Sequence, residues 1–201
     1  MNELADRLRA ALAVKGRPSS DFDLNPAVQL PEGRQLRDAA VLIPVVDRAD
    51  GAWVILTKRS SALKHHPGQI AFPGGKVDAG DEGATGAALR EAWEEIALEA
   101  GQVDVLGTLP SHETVTGFRV TPVLAIVLED FAARPEPAEV SEVFEAPLNH
   151  VLNPANYLIE SRRWRGERRY YFTVPWGPYY IWGATARMLR ALADRMGHGE
   201  D

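Results

Sequence analysis

The chain has 201 residues, 45% of them apolar and 25% charged, which is the balance of a folded protein with room for one sizeable core. A formal net charge of −6 argues against a protein built mainly to grip nucleic acid. With no cysteine, the chain can form no disulfide, thiolate metal site, iron–sulfur cluster or cysteine nucleophile, so any metal must be held by oxygen or histidine.

From the N-terminus, Leu4, Leu8, Ala11 and Leu12 recur at helical spacing and predict an amphipathic helix over 2–14. Its interspersed charges are unlike a secretory signal, and "GRPSSDFDLNP" ends it with turn formers. The longest apolar run, "AAVLIPVV", is far too short to span a bilayer, so a cytoplasmic protein without a membrane partner is expected. Val41–Val46 and Trp53–Thr57 read as strands joined by "DRADG", followed by the loop "KRSSALKHHPGQIAFPGG". A helix is predicted over Glu82–Ala97, with the Asp81 side chain as its N-cap. Val103–Leu109 and Val120–Leu128 read as strands, and "EDFAARPEPAE" as a Pro-rich surface connection. A short helix near Asn149, a hairpin of Tyr157–Trp164 and Arg168–Val174 around "RGE", and a closing helix over Gly183–Met196 complete the chain. Strands and helices mix without regular βαβ alternation, which predicts an α/β (α+β) protein with a mixed sheet and helices packed on it.

The helix over Glu82–Ala97 poses a question of charge. At about 100° per residue, Thr85, Ala88, Leu89, Ala92 and Ile96 form an apolar side, and Glu91, Glu94 and Glu95 fall opposite. Arg90 stands four residues before Glu94 and can pin it. Such a cluster is either a solvated face or a seat for a cation. The adjacent turn "FPGG" favours the cation, because its carbonyls and the carboxylates are the oxygen ligands that a hard divalent ion such as Mg²⁺ prefers.

The segment "GG…REAWEEIAL" closely resembles the Nudix box of the Nudix hydrolases. Arg90-Glu91 and Glu94-Glu95 match its charged core, and Ala92, Ile96 and Leu98 its apolar positions. The box is one residue longer than usual between Gly75 and Arg90, its acidic position before the helix falls at Asp81 or Glu82, and Ala97 replaces the usual glycine. The alanine leads to the expectation that this position needs no positive φ. Upstream, Leu56, Thr57, Arg59, Ser60, Lys64, Gly68, Gln69 and Phe72–Gly75 resemble the signature of the coenzyme A pyrophosphatase branch, which shares the longer box. "TGFRVTPVLAIV", "EVSEVFEAPL" and "IWGATARML" look like the later strands, loop and last helix of that branch. The resemblance divides the chain into an N-terminal helix and connecting segment (1–38), a Nudix domain (39–196) and a tail (197–201).

The resemblance implies an α/β/α sandwich with a mixed sheet. It also implies hydrolysis of the diphosphate bond of coenzyme A and its acyl derivatives to 3′,5′-ADP and (acyl-)4′-phosphopantetheine, dependent on Mg²⁺ or Mn²⁺. Glu91 and Glu95 become the expected direct metal ligands, with the Gly75 carbonyl beside them. Glu94 would assist through water or through Arg90, and Arg90 would orient the cluster. The general base stays open between a glutamate of the box and Glu113, Glu139 or Glu142, with Glu139 carried as a catalytic candidate. Arg59, Lys64 and Gln69 are the candidate substrate-binding residues, and His65 and His66 are further possible cations for phosphate.

Two other features point elsewhere. "RRWRGERRYYFTVPWGPYYIW" has the texture of a single-strand nucleic-acid platform, but the net charge favours a hairpin with a basic rim, part of it lining a cleft or a homodimer contact. Ser111, His112 and Glu113 adjoin without a Gly-x-Ser-x-Gly elbow, so serine hydrolysis is not expected. The rival readings are a Nudix hydrolase of another nucleoside diphosphate derivative such as ADP-ribose or NADH, a non-catalytic nucleotide-binding module, and an interaction protein with an acidic surface.

Overall fold

The computed structural model describes residues 3–30, 32–128, 131–164 and 166–197. Among them, nine strands form one mixed sheet, and a two-stranded hairpin stands apart from it. The long strands β2 (Arg37–Arg48), β3 (Gly51–Arg59) and β8 (Phe118–Val127) make its centre. β2 runs parallel to β8 and antiparallel to β3. Short strands extend it: β1 (Ser19–Ser20), β4 (Ile70–Ala71), β5 (Gly74–Lys76), β6 (Val103–Thr108) and β7 (His112–Glu113).

The unbroken apolar runs of the central strands follow from burial on both faces. Along β2, Ala39, Ile43 and Val45 face one core, while Ala40, Leu42 and Val46 face another. β8 alternates likewise, with Leu124 and Ile126 on the first side and Val123, Ala125 and Val127 on the second. Helix α2 (Gly83–Ile96) covers the second side through Ala87, Ala88, Ala92 and Ile96. The first is covered by α1 (Glu3–Ala13), the short α3 (Leu148–Val151) and α4 (Gly183–Gly197), whose Leu8, Val151, Leu189 and Leu192 are buried there. Helices on both faces of a mixed sheet match the expected α/β/α sandwich.

Where the chain was expected to run as a connection, it forms one more strand. β9 (Val140–Pro147) pairs antiparallel with β3, adding an edge that the Pro-rich approach concealed. Residues 132–139 are also less idle than a surface loop. Arg134 N–H donates to the Ile96 carbonyl and Glu136 N–H to the Glu95 carbonyl, so this strap satisfies two open acceptors at the end of α2. Glu129 and Asp130, which precede it, lie outside the described residues.

Two expectations about α2 are corrected. Asp81 does not cap the helix: Glu82 is the N-cap and no side chain serves it, because the Asp81 carboxylate is engaged by Arg90 and by the Asp78 N–H. Ala97, expected to avoid positive φ, sits at φ 60°. Ala97 N–H bonds back to the Trp93 carbonyl and Leu98 N–H to that of Ala92, which closes the helix and buries Leu98. A left-handed alanine costs on the order of 1 kcal/mol. Ala97→Gly is therefore expected to stabilise the protein by about 0.5–1 kcal/mol, read as a higher urea midpoint at unchanged slope.

The N-terminal segment is tied in by polar clamps. His112, fully buried, is hydrogen-bonded through Nδ1 to the Ser19 hydroxyl (2.9 Å) and through Nε2 to the Asp21 carboxylate (3.1 Å), so both ring nitrogens are satisfied. The order Ser–His–Asp exists in space, yet it is sealed in the fold and holds β1 to β7. Asn25 uses its amide on the Tyr170 backbone in both directions, and Asp23 pairs with Arg187 of α4. Tyr170 lies on β11 (Glu167–Thr173), which pairs with β10 (Leu158–Trp164) in the expected hairpin; Arg165 of its turn lies outside the described residues.

Candidate active site

The turn Phe72–Lys76 is laid against β2. Ala40 pairs with Gly75 and Val41 with Gly74, and buried Phe72 anchors the turn from below. Both glycines are required by close approach. A Cβ on Gly74 would stand 2.4 Å from the Ala40 carbonyl oxygen, and one on Gly75 would stand 2.4 Å from Glu91 Oε1. The Glu91 carboxylate thus rests directly on the Gly75 backbone.

Arg90 organises the acidic helix with all five of its N–H groups. Nε and Nη2 grip Asp81 (2.8 and 3.0 Å), Nη2 also reaches the Lys76 carbonyl, and Nη1 is shared by Glu91 and Glu94 at 3.0 Å each. This forked hold lowers Asp81 to about 2 and raises Arg90 still further.

Glu95 departs from the sequence reading, which placed it on the solvent side with Glu91 and Glu94. It is only 3% exposed and lies on the buried side of α2 with Ala88 and Ala92, three and four residues apart along one face. Its Oε2 accepts from Gly74 N–H at 3.2 Å. Burial pushes its carboxyl up to about 8, opposed by that N–H and by Arg59, and reinforced by Glu91 and Glu139. Burial also raises Glu91; Arg90 opposes the shift, while Glu94 and Glu139 add to it.

Glu139 is therefore near both carboxylates, although it is more than 40 residues away in sequence. The strap across the end of α2 brings it there, and its carbonyl receives the Ser60 N–H. The other two candidates outside the box are engaged elsewhere: Glu113 pairs with Arg34, and Glu142 accepts the Tyr179 hydroxyl at 2.5 Å.

Arg59 lies where the β3–β9 register shifts, a bulge of the kind that re-aims a side chain. Ser141 O–H covers the carbonyls of Lys58 and Arg59 there. The Arg59 guanidinium acts on Glu95 and on His66, and its Nε is buried without a hydrogen-bond partner. The Gln69 carbonyl accepts the Arg59 N–H and the Gly68 N–H donates to the Arg59 carbonyl, closing the loop, and Gln69 hydrogen-bonds His66. Lys64 and His65 are exposed on the same loop. Sequence reasoning missed Asp81 as the main partner of Arg90; the nine-residue spacing across a helix start gives no periodic signal for that pair.

Among the described residues no three Asp, Glu or His side chains already close around one point, since Arg90 draws Glu91 and Glu94 to itself. The donor chemistry nevertheless fits a hard divalent cation. Glu91 is seated on a glycine and Glu95 is buried beside the same turn, so two carboxylates offer the oxygen ligands that such an ion prefers.

The sequence profile of the NUDIX domain matches residues 36–167, well over half of the chain. The chain belongs to the Nudix family. As a Nudix hydrolase it is a pyrophosphohydrolase of a nucleoside diphosphate derivative. An uncharacterized Nudix hydrolase, NudL, from Escherichia coli K12 is 44% identical over 161 residues, covering 80% of this chain and 83% of that one. NudL from Enterobacter sp. strain 638 is 43% identical with the same coverage. A MutT/Nudix family protein of Enterococcus faecalis shares the fold at a TM-score of 0.52 and 15% identity, covering 86% of this chain and 66% of that one. No helix among the described residues is long and apolar enough to cross a membrane.

Proposed function

We propose that this Nudix hydrolase cleaves the diphosphate of coenzyme A and its acyl derivatives, releasing 3′,5′-ADP and (acyl-)4′-phosphopantetheine. The observation that carries the reading is the segment from Leu56 to Gly75. Its resemblance to the coenzyme A branch coincides with a loop that brings Arg59 within electrostatic reach of Glu95, its Nε without a hydrogen-bond partner. A substrate carrying a phosphate in addition to its diphosphate accounts for cations gathered next to an acidic helix.

In this reading Glu91 and Glu95 hold the divalent cation, Mg²⁺ or Mn²⁺, with the Gly75 carbonyl, and Glu94 assists from the exposed side. When bound, the ion sets positive charge against the diphosphate oxygens and acidifies water. Arg90 fixes the orientation of Glu91 and Glu94 and reacts with nothing. Arg59 grips a phosphate oxygen, with Gln69 bracing the loop and Lys64 supplying charge at its rim. The carboxylate of Glu139, exposed and close to the pair, takes the proton of the attacking water. As the new P–O bond forms, the bridging P–O bond breaks, and the electron pair leaves with the departing phosphate.

Product analysis tests this directly. With coenzyme A and Mn²⁺ or Mg²⁺, 3′,5′-ADP and 4′-phosphopantetheine are expected at a kcat/KM above those for ADP-ribose and NADH in parallel reactions. Faster turnover of ADP-ribose or NADH would give the site to a different nucleotide.

A further inference from the structure

Arg59, His66 and Arg162 lie in one region, and among the described residues no carboxylate is paired with them. Arg59 leaves a buried Nε without a partner. His66 stands at φ 54°, a conformation that non-glycine residues seldom adopt, and its Gln69 partner holds it in place. Partial burial and then the positive charges of Arg59, His65 and Arg162 keep His66 below the usual imidazole range, and Gln69 Nε2 lies 3.9 Å from where a Cβ on Gly183 would stand, which sets the His66–Gln69 turn beside Trp182. Arg162 comes from β10, a hairpin separate from the main sheet. Its guanidinium carbon lies over the Trp182 ring, 4.3 Å from the centroid. Tyr171 and Tyr180 pack around the same ring at 5.1 and 6.4 Å. The nearest acid on its strand, Glu160, receives the Tyr180 hydroxyl at 2.5 Å. Among the described residues no carboxylate forms an ion pair with Arg59 or Arg162. A guanidinium held over an indole keeps its planar N–H edge available, the geometry suited to a phosphate.

We infer that Arg162, held on Trp182, and His66 form a second phosphate subsite, one that takes a phosphate monoester on the ribose of the substrate, remote from the diphosphate that is cut. Arg59 bridges the two regions, acting on Glu95 on one side and on His66 on the other. The identity of that monoester as the 3′-phosphate of coenzyme A rests on the functional reading above; the subsite itself rests on the arrangement of cations. Arg162 is a specificity residue here. It touches neither the scissile bond nor the acidic helix.

Calorimetry with the full chain in EDTA separates the two questions, because no turnover is involved. 3′,5′-ADP is expected to bind roughly tenfold or more tighter than 5′-AMP, and Arg162→Gln to bring the ratio close to one. Arg162→Lys, which keeps the charge but loses the fork, should restore part of the difference. A 3′,5′-ADP affinity no better than that of 5′-AMP, whether both are weak or both strong, overturns the subsite, as does a preference that survives Arg162→Gln. With metal present, the ratio of kcat/KM for coenzyme A over dephospho-coenzyme A should fall about tenfold in Arg162→Gln. A nucleotide preference in EDTA without cleavage of coenzyme A would leave the subsite standing and remove the substrate assignment instead.

Discussion

Glu95→Gln is expected to lower kcat by about 10³-fold or more while making the metal-free protein more stable at alkaline pH. The first effect follows if Glu95 holds the cation, since the charge that the ion sets against the diphosphate is worth several kcal/mol. The second follows from burial alone. The Glu95 carboxyl is raised to about 8 from an ordinary 4.5, so between those pH values the folded state keeps a proton that the unfolded chain has lost. Folding stability attributable to this group is then present below about pH 4.5 and declines as pH rises toward 8. Glutamine carries no charge, still accepts from Gly74 N–H, and should flatten that decline. Thermal melts in EDTA between pH 5 and 8.5 read it out. Mn²⁺ should raise the wild-type melting temperature more at pH 8 than at pH 5, because protons no longer compete for the same oxygen. A variant that keeps wild-type turnover would take Glu95 out of the chemistry.

Gly74→Ala and Gly75→Ala, adjacent and chemically identical changes, should fail in different ways. At Gly74 the new methyl would meet backbone on β2, 2.4 Å from the Ala40 carbonyl oxygen and 2.6 Å from the Val41 Cα. Neither atom can swing aside, so the turn must lift from the sheet, at about 3 kcal/mol or more. At Gly75 the obstacle is the end of a flexible side chain, Glu91, with its carboxylate atoms 2.4–2.7 Å away. That group can rotate off its seat at little cost to folding. Gly75→Ala should therefore melt within a few degrees of wild type yet lose about 10²-fold in kcat/KM, with a weakened response to Mn²⁺. Chemical denaturation set against steady-state kinetics for the two variants separates the effects; equal stability losses would contradict this picture of the turn.

The central sheet was legible because β2, β3 and β8 are buried on both faces and so carry continuous apolar runs. The acidic helix was legible because Arg90 and Glu94 obey helical spacing. Other features depended on partners distant in sequence. Glu95 reads as a surface residue until the turn at Gly74 folds over it. β9 hides behind prolines and acquires its identity by pairing with β3. Glu139 gains significance when the strap crosses the end of α2. Ala97 misled because the tertiary packing of Leu98 overrides the reluctance of alanine to turn left-handed. The clamp of Ser19, His112 and Asp21 joins positions more than 90 residues apart, beyond the reach of any spacing rule.

That clamp and the hairpin bear on how the protein can be divided. The recognised family region begins at residue 36 and ends at 167, yet Ser19 and Asp21 before it bind His112 within it, and β10 within it pairs with β11, nearly all of which lies beyond it. Both borders of that region therefore run through fastenings rather than seams. A fragment trimmed to them would strand the hairpin that carries Arg162, and the loss would register first as blunted discrimination among nucleotides.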